Sequence, residues 1–158
     1  MINRGNQDWH FMPAPGINLE GETPVSYTFN DIYYSPDDGI SESEHVFIDG
    51  SDLVKRIVSL SAGETLTRVE RGLGPGPNCL LTAQAWLQPR PPGTRLRYIA
   101  IDAFPMRKPM LQTLNARWTS LSGLTETLIK RWPAPLPMTP RRTRSGPMPC
   151  KTAFGAAR

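Results

Sequence analysis

The sequence predicts an α/β protein, the start of a parallel βαβ sheet preceded by a small antiparallel β element. Between Leu66 and Asp102 the chain runs strand pattern, glycine turn, helical pattern, strand pattern, acid. That is the order of a parallel pair joined by a crossover helix. Upstream, Val25, Tyr27 and Phe29 alternate with polar residues, the period of a half-buried strand. The length of 158 residues suits one domain and is short for most complete α/β enzymes.

The elements follow in order. Pro13, Pro15 and Gly16 interrupt the first stretch, so residues 1–22 read as a loose arm. After Val25–Phe29 come Ile32-Tyr33-Tyr34 and, across the turn Ser35-Pro36-Asp37-Asp38-Gly39, His45-Val46-Phe47-Ile48. The pattern predicts a hairpin or small antiparallel sheet. Ser51 or Asp52 then caps a helix over Leu53–Leu60, with Leu53, Val54, Ile57 and Val58 on one face. Leu66–Glu70 is a strand, Gly72–Gly76 a glycine turn and Asn78–Leu87 a helix. Leu96–Ile101 is a second strand. Pro105 and Pro109 open a helix whose Leu111, Leu114 and Trp118 share a face, and Leu121, Leu124, Leu128 and Trp132 mark a last one to Arg131. From 138 to 158 proline and arginine dominate, no acid occurs and large apolar residues are scarce. Such a segment cannot offset its ordering entropy, and it is predicted to be a disordered Pro/Arg-rich tail.

Composition excludes several classes. No apolar run reaches the length of a membrane span, and the opening Met1-Ile2-Asn3-Arg4 leads into polar sequence rather than a signal core. Cys79 and Cys150 are the only cysteines and His10 and His45 the only histidines. A disulfide scaffold, a cysteine-rich zinc site and a histidine-rich metal centre are therefore not expected; no metal is predicted. Charge is divided sharply. Residues 1–52 carry Asp8, Glu20, Glu22, Asp31, Asp37, Asp38, Glu42, Glu44, Asp49 and Asp52 against Arg4 alone. The later residues carry only Glu64, Glu70, Asp102 and Glu126 against the remaining lysines and arginines. A basic second part points to an anionic partner, nucleic acid first; a solvated basic surface is the plainer account.

The stretch Glu70-Arg71-Gly72-Leu73-Gly74-Pro75-Gly76-Pro77-Asn78 carries the chemistry. Glycines between a strand end and a helix start let backbone approach a ligand where side chains would prevent it. Asp102, at the end of the next strand, is placed to accept hydrogen bonds from ribose hydroxyls. Together they read as a nucleoside-cofactor site, with a Gly/Pro surface turn as the competing account. Cys79, just inside a helix start, has the position of an activated thiol, but a buried core residue is expected. Trp118 and Trp132 are assigned to packing, and neither histidine has a partner that makes it catalytic.

The chain also resembles a known family. Thr23-Pro24-Val25-Ser26, Phe29-Asn30-Asp31-Ile32-Tyr33-Tyr34-Ser35, Gly39-Ile40 and Val46-Phe47-Ile48 are similar to the opening of a methyltransferase domain. It is that of the bacterial bifunctional tRNA 5-methylaminomethyl-2-thiouridine biosynthesis proteins, the MnmC family. The similarity runs on through the glycine loop, Tyr98-Ile99-Ala100-Ile101-Asp102-Ala103-Phe104-Pro105-Met106, Trp118 and Arg131–Pro137. It assigns 23–137 to the N-terminal part of an S-adenosylmethionine-dependent methyltransferase domain with a Rossmann-like sheet. The implied reaction methylates the 5-aminomethyl group of a wobble uridine in tRNA, in the cytoplasm.

By the same resemblance, Glu70, Gly72, Gly74, Gly76, Asn78 and Asp102 hold the cofactor, and Asp31, Tyr33 and Tyr34 face the substrate; for the tyrosines, strand packing is the plainer account. Three departures stand out. Pro75 and Pro77 replace a threonine and a hydrophobic residue, each removing an N–H where the loop is expected to donate. Asp102 replaces the usual glutamate. The strand Thr65-Leu66-Thr67-Arg68-Val69 lacks the apolar run of a central parallel strand. The family's catalytic aspartate lies on a later Asp-Gly-Phe segment, and its FAD-dependent oxidoreductase half follows; neither is in this sequence. The chain is thus expected to be a truncated copy, with an inactive fragment or a basic RNA-binding module as the alternatives.

Overall fold

The computed structural model describes residues 14–20 and 23–133, together with the backbone of 152–155. Residues 1–13, most of the expected loose arm, and 138–151 and 156–158, most of the expected tail, lie outside the described residues.

The chain opens with three short antiparallel strands in the order β1 (Ile17–Glu20), β2 (Thr23–Ser26), β3 (Asp31–Ile32). Ile17 pairs with Ser26 and Val25 with Ile32, so part of the expected arm is a strand. The strand expected to run through Phe29 stops at Ser26. Ser26 Oγ accepts the Phe29 amide at 3.3 Å, and Asn30 turns the chain at φ 49°, a left-handed conformation that asparagine tolerates.

The expected strand His45–Ile48 is helical instead. Asp38 does not turn a hairpin; its Oδ1 accepts the Ser41 amide at 3.0 Å and caps α1 (Gly39–Ser43). A π-helical turn over Glu44–Asp49 continues from it, closed by Gly50 N–H donating to His45 O at 2.9 Å. A short apolar run carries no period that separates strand from helix, and the cap upstream decides the matter by satisfying an N-terminal amide. Helix α2 (Leu53–Val58) follows, with Asp52 before it at φ 50°. Asp52 makes no side-chain cap; its carboxylate pairs with Lys55 at 2.7 Å. Leu53 and Ile57 are buried, while Val54 and Val58 stay exposed.

The second sheet has the expected parallel unit. Strand β4 (Thr65–Arg71) and strand β5 (Arg95–Ile101) pair in parallel, Leu66 beside Leu96 and Glu70 beside Ala100, with helix α3 (Pro77–Trp86) between them in sequence. Pro77 occupies the first turn of α3, where a missing N–H costs nothing. Strand β6 (Thr152–Gly155) pairs antiparallel with β5, so that part of the expected disordered tail is strand. Helices α4 (Lys108–Asn115) and α5 (Ser122–Arg131) complete the layer. Leu66, Leu80, Leu81, Leu96, Leu111 and Leu128 form the core with Trp118 and Trp132. Trp132 also donates its indole N–H to Met106 O at 2.9 Å. Among the described residues no helix is long and apolar enough to cross a membrane.

Candidate functional site

A cleft of ≈ 670 Å³ opens where β4 and β5 end, between the glycine loop, β3 with the residues after it, and the α1–π segment. Its size lies within the range of small-molecule sites. Glu70, Gly72, Gly74, Asn78 and Asp102 line it, and so do Asp31, Tyr33 and Tyr34. Residues far apart in sequence are thereby brought together. Gly76 is outside the lining; it precedes α3 at φ 87°, and a Cβ there would meet Leu128 Cδ2 at 3.5 Å. Its role is to turn the chain into the helix against the core.

Asp102 holds the loop in shape. Its Oδ2 accepts from Leu73 N–H at 2.9 Å and Gly74 N–H at 3.1 Å, and its Oδ1 from Phe104 N–H at 2.8 Å. The other loop amides are used as well: Gly72 N–H donates to Ile101 O at 2.8 Å and Gly76 N–H to Leu73 O at 2.9 Å. Pro75 and Pro77 have none. From 72 to 77, every backbone donor is internally bonded or missing. Asn115 fastens the same loop from α4, its Nδ2 donating to Pro75 O at 3.0 Å in the interior.

Glu70 is clamped between two donors. Asn78 Nδ2 donates to its Oε1 at 2.8 Å and Tyr98 Oη to its Oε2 at 2.5 Å. Burial pushes the Glu70 carboxyl above its ordinary range, against the two hydrogen bonds and the Arg68 charge, which pull it down; nearby Asp102 adds to the rise. Tyr98 is raised too, first by burial and then by the Glu70 charge. Asn78 Oδ1 is buried with no partner in this structure. Burial also lifts Tyr33, opposed by its hydrogen bond with Ser26 and aided by the Asp102 charge. The Tyr33 ring lies against Gly74, where an added Cβ would stand 3.3 Å from Cδ1. Tyr34 is buried, its ring 5.2 Å from that of Trp118. It therefore packs as well as lining the cleft. Cys79 is buried, its thiol pushed up to about 12 chiefly by desolvation, the behaviour of a core residue.

Sequence reasoning missed the lip. Phe29 and Phe104 meet edge to face at 5.7 Å, and Glu42, Val46 and Phe47 line the cleft with them. Only the helical conformation of 39–49 places those three there, and the strand reading hid them. Every ionisable lining residue apart from the tyrosines is an acid: Asp31, Glu42, Glu70 and Asp102. Among the described residues no lysine, arginine or histidine lines the cleft. Among the described residues no cluster of potential ligands could hold a metal ion.

Parallel strands whose carboxyl ends open into a glycine-edged acidic cleft define an α/β protein with a cleft at the head of its βαβ unit, the position where open α/β sheets commonly bind ligands. The chain is 38% identical over 123 residues to the tRNA 5-methylaminomethyl-2-thiouridine biosynthesis bifunctional protein MnmC of Legionella pneumophila (strain Lens), covering 77% of this chain and 18% of that protein. The proteins of the same name from Acinetobacter baylyi and Magnetococcus marinus are each 36% identical, over 82% and 84% of this chain and 20% and 18% of their own lengths. Across this aligned region the chain belongs to the MnmC family. It spans about a fifth of the length of these relatives. No protein-family model matches it.

Proposed function

We propose that the cleft binds S-adenosylmethionine and that the chain is the cofactor-holding part of a tRNA wobble-uridine methyltransferase with a Rossmann-like sheet. The implied conversion is of a 5-aminomethyl to a 5-methylaminomethyl group, in the cytoplasm. One observation carries the reading: the glycine loop borders an all-acidic cleft and has no backbone N–H left to offer. A loop that cradles phosphates needs free amides and tolerates no ring of carboxylates. A dinucleotide such as NAD therefore fits poorly, whereas a cofactor with an ammonium, a sulfonium and ribose hydroxyls meets acceptors and negative charge. When bound, it supplies an electrophilic methyl group.

The chain's own residues would bind and orient. Glu70, held by Tyr98 and Asn78, and Asp102, fixed by three amides, face the cation from rigid positions. Asn78 Oδ1 is the unpartnered acceptor beside them. Asp31, exposed at the mouth with its Oδ1 on Ile32 N–H at 2.8 Å, is placed to receive a substrate ammonium. Alignment of amine and methyl is the main work such a site can do. The tRNA phosphates find no partner at this acidic mouth and would be held by the basic residues elsewhere on the chain.

Equilibrium dialysis with radiolabelled S-adenosylmethionine and with NAD checks the assignment. The folded chain should retain the first and not the second, and Glu70→Gln should lower the retained label. Retention of NAD to an equal extent, or of neither, would overturn it.

A further inference from the structure

The helical turn in the cleft wall is held at one carbonyl. Val46 and Phe47 line the cleft, yet of Glu44–Asp49 only Ile48 is buried. A segment with so little packing opens at low cost unless polar contacts fix it. Its closing bond is of the π type, Gly50 N–H to His45 O at 2.9 Å. In that register the Phe47 carbonyl would go to the Asp52 amide. It does not: Asp52 takes φ 50° and its N–H donates to Asp49 O at 2.9 Å. A helix-end carbonyl released in this way needs another donor.

Two side chains supply it. Ser51 Oγ donates to Phe47 O at 2.7 Å. Arg68 Nη2 donates to the same oxygen from β4, 21 residues along the chain. A charged donor makes the stronger kind of hydrogen bond. Arg68 stands two residues before Glu70, so both side chains leave the same face of the strand. Its charge also pulls the Glu70 carboxyl down. Arg68 thus joins the lightly packed wall of the cleft to the strand that carries the glycine loop.

We propose that Arg68 is a positioning residue for ligand binding: by holding Phe47 O, together with Ser51, it fixes the Val46–Phe47 wall where it meets the ligand. The role rests on the reading of the cleft as an S-adenosylmethionine site. Arg68 is not itself part of the lining and acts through the turn. When its bond is lost the turn takes other placements, and apparent affinity falls with the fraction of time the wall is in place.

Hydrogen exchange and equilibrium dialysis with radiolabelled S-adenosylmethionine, both on the full chain, test this. Arg68→Met keeps the length of the side chain and removes its donors. Exchange at Gly50 should quicken, while Gly72 and Arg95, bonded to Ile101 O and Glu64 O, stay protected and report an intact sheet. Affinity should fall by about two- to tenfold, the worth of one hydrogen bond. Ser51→Ala leaves every charge in place and should act in the same direction; it carries the test should Arg68→Met fail to fold. Arg68→Lys should recover part of the loss. In a chain carrying Val46→Ala and Phe47→Ala, Arg68→Met should cost little more, because the side chains it positions are gone. Unchanged exchange at Gly50 in the Arg68 and Ser51 variants overturns the proposal. So do additive losses of affinity in that cycle, which would assign the effect of Arg68 to its charge on Glu70. Retention of no S-adenosylmethionine by the unaltered chain overturns the assignment of the cleft instead, and exchange at Gly50 alone then decides whether Arg68 and Ser51 hold the wall.

Discussion

Tyr98 donates its hydroxyl to Glu70 across the parallel pair β4–β5, at 2.5 Å, with Glu70 opening on the cleft and Tyr98 buried behind it. Their alignment follows from the register: Glu70 lies beside Ala100, two residues beyond Tyr98 on β5, and both side chains project from the same face of the sheet.

Glu70 makes stability depend on pH in a direction unlike most acids. Its folded pKa is raised by burial, so in the pH window between the ordinary carboxylate value and the folded one the folded chain holds a proton that the unfolded chain has released. This group's contribution to stability is therefore full at low pH and declines as pH rises from the ordinary carboxylate range through the folded value. Thermal melts of the native chain and of Glu70→Gln should converge in acid. The variant should melt higher at neutral pH. Equal melting temperatures at both ends would show that the carboxyl ionises as freely folded as unfolded. Tyr98→Phe removes a hydrogen bond to a charged group and should cost about 1.5–3 kcal/mol at neutral pH.

Asp102→Ala strands the Leu73 and Gly74 amides, which the carboxylate now accepts. The expected cost is about 1–3 kcal/mol for buried donors left unpaired, with faster hydrogen exchange at those two amides in particular. S-adenosylmethionine retention should fall by about tenfold or more if the same free energy is lost from binding. Unchanged exchange at Leu73 and Gly74 would show that the loop keeps its shape without Asp102.

Pro75 and Pro77 both line the cleft, but only Pro77 also opens α3, where its fixed φ favours the helix and a missing N–H costs nothing. The two prolines should therefore part company. Pro75→Thr should tighten S-adenosylmethionine binding by the worth of one hydrogen bond, about 0.5–1.5 kcal/mol by titration calorimetry. Pro77→Leu should lower the melting temperature without that gain. Equal effects from both would place the missing donors of this loop outside the binding wall.

The βαβ unit was legible because Leu66–Glu70, the glycines and Leu96–Ile101 repeat the periods of strand, turn and strand, and local sterics impose those periods wherever the chain goes. The same local chemistry placed α3 and α5 within a residue or two, whereas α4 ends at Asn115 and leaves Trp118, expected on its face, in the turn before the next helix. The glycine loop and its distal acid were legible as a pair, since Gly72, Gly74 and Gly76 adopt the left-handed φ values that glycine alone takes at no cost. What Asp102 bonds to was not. Its partners lie at residues 73, 74 and 104, and spacing says nothing of which way a carboxylate turns once a strand end is packed. The segment His45–Ile48 went the other way for a related reason: its few apolar residues fit strand or helix alike. The Asp38 cap and the burial of Ile48 against the helical layer made it helix. The acidic lip shares that origin. It is built from residues whose nearness exists only after β3, the helical turns over 39–49 and the end of β5 are packed around one cleft.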